Sequence, residues 1–196
     1  MAQPVRYQDI LDIAQYEKAR ETFRAKALAA KEQRRVEVGP HFEFLFENHL
    51  TALYQVQEMM RVERMVEQTA IQFEIDTYND LVPGPGELSA TLMIAFPDPE
   101  ERDIQLKKLL GLEQHVWLEA KGLDPLPARF DTRQIGSDRL SSVQFLKFQL
   151  PPALMARWRE LAGSGGLRLV VDHPAYRHAA ALTPNQAAAL AEDFAD

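Results

Sequence analysis

The densest chemistry in the chain lies between Phe46 and Leu92. Glu47, Asn48, Gln57, Glu58, Arg61, Glu63, Arg64, Glu67 and Glu74 sit there on two stretches of helical spacing. Some of these polar groups fall on or beside faces that should be buried. Glu58 is central, because Tyr54 precedes it by four positions and Arg61 follows it by three, the separations at which helix side chains meet. Between a phenol and a guanidinium the Glu58 carboxylate can be paired and desolvated. Exposed to water, the same pair is worth only about 0.3–0.5 kcal/mol. Glu67 and Glu74 share a face with Ala70, Ile71 and Tyr78, so they either serve as ligands or an acid–base pair or flank the apolar stripe in solvent. If the chain has a site, this reading puts it where the Asn48–Arg64 helix faces the sheet. Glu58 and Arg61 form its centre, with Glu47, Asn48, Tyr54, Gln57 and Glu74 around them.

Histidines give a second set of candidates. Asp172-His173 ends one apolar run and His178 opens the next, with Pro174 between them, so a turn would bring the two imidazoles together. His115 opens the corresponding run of an earlier unit. Two or three histidines at one sheet end, near Asp or Glu, suit zinc, iron or haem; the competing reading is a set of isolated strand-end histidines. A di-iron bundle needs Glu three positions before His, and none of the five histidines satisfies that. His-Glu-x-x-His, Gly-x-x-x-x-Gly-Lys, Gly-x-Ser-x-Gly and Gly-x-Gly-x-x-Gly are absent as well. Pro83-Gly84-Pro85-Gly86 is a turn, since its prolines lack the amide donors of a phosphate nest.

The elements that must hold these residues can be read from periodicity. Apolar positions recur at three- and four-residue spacing from Asp9 to Arg34, which predicts a helix. Val36 and Val38, then Phe42, Phe44 and Phe46, alternate around Gly39-Pro40 and predict a hairpin at about 35–47. Asn48 caps a helix to about Val66, and a second helix, continuous or kinked, runs to about Asn79 before Pro83. Farther on, strand–helix–strand order occurs twice, from LSATLMIAF to HVWLEA and from SSVQFLKFQL to LRLVVDH, with Asp98 capping the first helix. A long loop joins these units, and a strand-like YRHAAAL and a short helix close the chain. The expected fold is α+β: a mostly antiparallel sheet built from two β-α-β units in a ferredoxin-like arrangement, helices on one face, and an N-terminal helical layer. One domain is expected over 1–196, with the helical layer in 1–80 and the β-α-β units and final helix in 87–196.

Composition limits the function classes. The 196 residues carry a net charge of −7, which argues against broad attraction to nucleic acid or anionic membrane. The local basic cluster of Arg20, Arg24, Lys26, Lys31, Arg34 and Arg35 reads as a solvated helix face. Cysteine is absent, which removes disulfides, thiolate nucleophiles and self-ligated iron–sulfur clusters together. The N-terminus lacks a signal-peptide layout, and no apolar run approaches the roughly 20 residues of a membrane span. These features predict a cytoplasmic protein and leave homo-oligomerisation open.

Tyr16-Glu17 with Arg20 and Arg24, Arg34-Arg35-Val36, Phe46-Glu47-Asn48, Tyr54-Gln55, Gln57-Glu58-Met59, Arg61 with Glu63-Arg64, Glu74, Tyr78-Asn79, Leu88-Ser89-Ala90-Thr91-Leu92 and His115-Val116-Trp117 together resemble the signature of an uncharacterised bacterial family of unknown function. Members are often encoded beside rubrerythrin-like proteins and iron–sulfur oxidoreductases. The resemblance therefore implies an accessory or binding protein acting with a redox or peroxide-handling partner. The alternative is an enzyme that binds a metal or haem through His and carboxylate side chains.

Overall fold

A computed structural model describes residues 3–194, so the ends of the expected 1–196 domain fall outside the described residues. A 3₁₀ turn at Tyr7–Asp9 precedes α1 (Ile13–Gln33), whose N-cap Asp12 accepts from the Gln15 amide. The hairpin follows as β1 (Arg35–Val38) and β2 (Phe42–Phe46), with Val38 opposite Phe42. Asn48 then caps α2 (His49–Glu63): its side chain accepts from the Thr51 amide at 3.0 Å, and its own amide donates to Thr51 Oγ1 at 2.9 Å. Arg64, at φ 54°, ends α2 in the left-handed region, so α3 (Gln68–Asn79) starts as a separate helix. The three helices bury Val5, Ala52, Leu53, Val56, Met60, Ile71, Ile75 and Val82 in a core of their own.

The remaining elements are β3 (Glu87–Ile94), α4 (Pro99–Lys108), β4 (Val116–Ala120), β5 (Leu126–Pro127), β6 (Arg129–Phe130), β7 (Val143–Gln149), α5 (Pro152–Gly163), β8 (Leu167–His173), β9 (Tyr176–Ala181) and α6 (Pro184–Ala191). They form two antiparallel sheets, ordered β1-β2-β3-β7-β6 and β5-β4-β8-β9. The mixed α and β content agrees with expectation, but the two β-α-β units do not share one sheet. Each unit starts in the first sheet and ends in the second. The reason is valence: β3 has β2 on one side and β7 on the other, so no edge remains for β4, which pairs with β8. The apolar faces of both sheets, including Leu88, Leu92, Leu118, Leu146 and Leu169, then close over a common core that α5 and α6 also enter through Trp158 and Leu190.

Both edges are tied. The segment expected to be a loop carries β5 and β6, and Ala128 between them turns the chain from β4 in one sheet to β7 in the other. At the opposite edge the Tyr176 hydroxyl donates to Val38 O at 2.8 Å and accepts from the His41 amide at 3.0 Å. That closure needs Gly39. Its φ is +70°, and a Cβ there would stand 2.5 Å from both Tyr176 Oη and His178 Cγ. Gly39→Ala is expected to cost about 2–3 kcal/mol. Gly165→Ala, at φ +65° with nothing within 4 Å, should cost only about 1 kcal/mol. Thermal unfolding of the two variants side by side would check the difference. No described helix is long and apolar enough to cross a membrane.

Candidate functional site

The polar residues of α2 divide between its two sides. On the side facing α1, Glu58 accepts two hydrogen bonds from Arg20, Nε at 2.8 Å and Nη2 at 2.9 Å, and a third from the Tyr16 hydroxyl at 2.7 Å. Arg61, the partner expected from spacing, adds a weaker contact at 3.3 Å. Arg20, then Tyr16, hold the Glu58 carboxyl down to about 2, against the opposing effect of burial. Burial, followed by the bond to Glu58, pushes the Tyr16 phenol above its ordinary value. Glu58 thus looks toward α1 rather than toward the sheet. Tyr54, expected beside it, stacks on Phe23 with Lys31 Nζ 5.2 Å from its ring centroid.

Gln57, only 1% exposed, accepts from the Leu11 amide at 2.8 Å and donates to Leu11 O at 3.1 Å. Asn79 makes the same two-point bond to Val5 at 2.7 and 2.9 Å. These amides act as strand-like partners for the N-terminal segment. Chemically, this side of α2 is a clamp in which acceptors and donors are already matched.

The side of α2 facing the sheet is open. Strand alternation turns Ser89 and Thr91 of β3, and Phe145 and Lys147 of β7, outward toward α2 and α3, with Thr91 opposite Phe145 and Ser89 opposite Lys147. Between this floor and the helices lies a cavity of about 210 Å³ whose walls include Glu47, Thr51, Gln55, Tyr78, Thr91 and Phe145. Tyr78, Leu81 and Phe145 also line a second cavity of about 820 Å³, whose walls include Phe73, Phe130 and Lys147. Glu47 is 8% exposed, and its Oε1 accepts from Thr91 Oγ1 at 2.8 Å. Among the described residues no cation lies within ion-pair distance of it. Burial pushes Tyr78 up; a hydrogen bond with Gln55 opposes this, while the charges of Glu74 and Glu47 add to it. Glu47, Glu74, Gln55 and Tyr78 therefore form one neighbourhood, separate from Glu58. At the outer rim Glu87 pairs with Arg129 at 2.6 Å and Lys147 at 3.4 Å, and Arg133 pairs with Asp131 and Asp80.

The histidines are placed differently from expectation. Register sets His173 opposite Tyr176 and His178 opposite Val171, so the Pro174 turn does not join them. His173 meets His115 instead, the rings 5.1 Å apart and perpendicular. Both His173 nitrogens are engaged: Nε2 lies 3.1 Å from Leu110 O, and Nδ1 accepts from the Ala175 amide at 3.2 Å. His115 Nδ1 lies 3.0 Å from Asp172 Oδ1, and His178 packs 4.5 Å from the Tyr176 ring. Among the described residues no three or more His, Asp or Glu side chains are grouped to hold a metal ion.

Phe73, Phe145, Ser89 and Thr91 were not singled out by spacing of polar residues. The available signal was the strict alternation of LSATL, which marks a strand whose polar face is covered by helices.

The sequence matches the family described as a protein of unknown function, DUF3501, over residues 4–194. The chain belongs to that family. A crystal structure of a novel protein of unknown function from Burkholderia pseudomallei K96243 is 33% identical and covers 98% of this chain and 100% of its own, with a TM-score of 0.89. Among curated proteins no match is found. The family covers the clamp and the cleft alike, because its match runs from the N-terminal segment bound by Asn79 to the end of the described chain.

Proposed function

We propose that the protein is a cytoplasmic binding component acting with a redox or peroxide-handling partner, a rubrerythrin-like protein or an iron–sulfur oxidoreductase. In this reading the cleft between the helical layer and the first sheet is its working surface. The observation that carries it is the roughly 820 Å³ cavity, in which Phe73, Tyr78, Phe130 and Phe145 supply apolar area beside the charged rim of Arg129, Arg133 and Lys147. Apolar walls with a few placed polar groups are the composition of binding pockets. A chain with no cysteine fits a component that carries no electrons on thiols or clusters of its own.

Phe73 provides the test, since it is 70% exposed on the cleft wall. Phe73→Ala is expected to leave stability within about 0.5 kcal/mol, as for other surface changes. Capture of the partner by tagged protein from the native cell is expected to fall severalfold. Recovery of no redox protein with the unaltered chain would refute the partnership, and equal recovery with Phe73→Ala would remove the cleft from it.

A further inference from the structure

We propose that Glu47 is the anchor for a monoamine, a ligand whose primary ammonium enters the small cavity while its apolar or aromatic body lies in the larger one. This rests on the cleft being a binding site, as proposed above, but not on the identity of any partner. The decisive observation is the state of Glu47. Its side chain is buried and the residue lines a cavity, yet among the described residues the one hydrogen bond its carboxylate accepts comes from a neutral hydroxyl, Thr91 Oγ1. A buried carboxylate without a cation is costly, and such groups are ordinarily paired.

The backbone of Glu47 is also anchored. Its amide donates to Ser89 O at 2.8 Å, and its carbonyl accepts from Arg34 Nη2 at 3.2 Å. The next residue, Asn48, is fixed as the cap of α2. The backbone that carries the carboxylate is therefore held in place before any ligand arrives, and the Thr91 bond orients one of its oxygens, which limits the ordering cost of binding.

The rest of the cavity suits an ammonium. It has three donors and needs acceptors in several directions. Glu47 supplies one, Thr51, Thr91 and Gln55 line the same space, and so do the aromatic residues Tyr78 and Phe145. Lys31 also borders the cavity, with its Nζ over the Tyr54 ring. With one lysine and one carboxylate on the lining, the cavity balances at most one added positive charge, so the class is a monoamine rather than a polyamine. At about 210 Å³ the cavity is below the roughly 300 Å³ of ordinary ligand pockets and takes a head group only. The adjoining Phe73, Phe130 and Phe145 walls receive the body.

The experiment is isothermal titration calorimetry of the full chain with 2-phenylethylamine and with its anionic counterpart 3-phenylpropanoate. The amine is expected to bind at least about tenfold more tightly, a difference of about 1.4 kcal/mol. Glu47→Gln should remove that preference. Gln55→Lys, which places a fixed ammonium beside Glu47, should abolish amine binding and raise the melting temperature, and it keeps the test valid should Glu47→Gln fold poorly. Equal affinity for amine and carboxylate, no binding of the amine at millimolar concentration, or unchanged amine affinity in either variant would overturn the proposal. Those results leave partner capture untouched, so the broader binding reading stands or falls separately.

Discussion

Arg34→Ala is expected to destabilise the protein by about 3–5 kcal/mol and to lower its melting temperature by about 10 °C or more. Arg34 is 2% exposed and donates to Phe46 O at 2.9 Å, Ala189 O at 2.7 Å and Glu47 O at 3.2 Å, and it pairs with the equally buried Asp193. It thereby joins the start of the hairpin, the entry to α2 and the C-terminal helix. Alanine would leave three carbonyls without that donor and a carboxylate buried alone. Burial, opposed by Arg34, pushes the Asp193 carboxyl up to about 6. Its folded value thus lies above the roughly 3.9 of an unfolded Asp, so its contribution is fully present below that value and is lost as pH rises through about 6. The Arg34→Ala defect should therefore be smaller at pH 5, where Asp193 is mostly protonated, than at pH 8. Replacing both partners by apolar residues, Arg34→Met with Asp193→Leu, should recover most of the loss. Calorimetric melts at the two pH values check this; a variant melting within about 2 °C of the parent at pH 8 would refute it.

Glu58→Gln is expected to cost about 2–3 kcal/mol, the scale of hydrogen bonds to a charged group, without changing amine binding on the other side of α2. The pH dependence has the opposite sign to that of Asp193. Arg20 first, then Tyr16, hold the folded carboxyl at about 2, below the roughly 4.3 of an unfolded Glu. Its stabilisation is present above that unfolded value and is lost as pH falls toward about 2. Urea unfolding at pH 7, 4 and 2.5 should show the acid limb of the stability curve flattened in Glu58→Gln. An unchanged acid limb would show that the Arg20–Glu58–Tyr16 contacts do not couple to folding. Solvent reaches Arg20 and Arg61, about a third exposed, so high salt should shrink the effect.

The two variants mark where reading by spacing succeeds and where it stops. Asn48 and Asp98 were identified as caps because the bond each makes spans three residues, to Thr51 and Glu101. Glu58 and Arg61 do touch, as three-residue spacing on a helix implies, but that contact is the weakest of the four bonds on Glu58. Its main partner, Arg20, is 38 residues away, and helix spacing carries no information about which face of α2 meets α1. Arg34 was read as part of a solvated basic face. Its burial depends on Asp193, 159 residues distant, and on carbonyls of two other elements.

The sequence by itself determined the local units: the hairpin around Gly39, the two capped helices, the stop at Pro83, two strand–helix–strand passages, the closing strand and helix, and the exclusion of cysteine chemistry. These follow from propensities and hydrogen bonds acting over a few residues, for which neighbours in sequence suffice. Tertiary structure alone decided that the strands form two sheets rather than one, that His173 meets His115 and not His178, and that Glu47 lines a cavity with a neutral hydroxyl as its partner while Glu58 is held by Arg20, Tyr16 and Arg61. Each of those outcomes is a competition among distant partners for a limited number of strand edges and buried donors, and it is settled only when the whole chain has closed around its core.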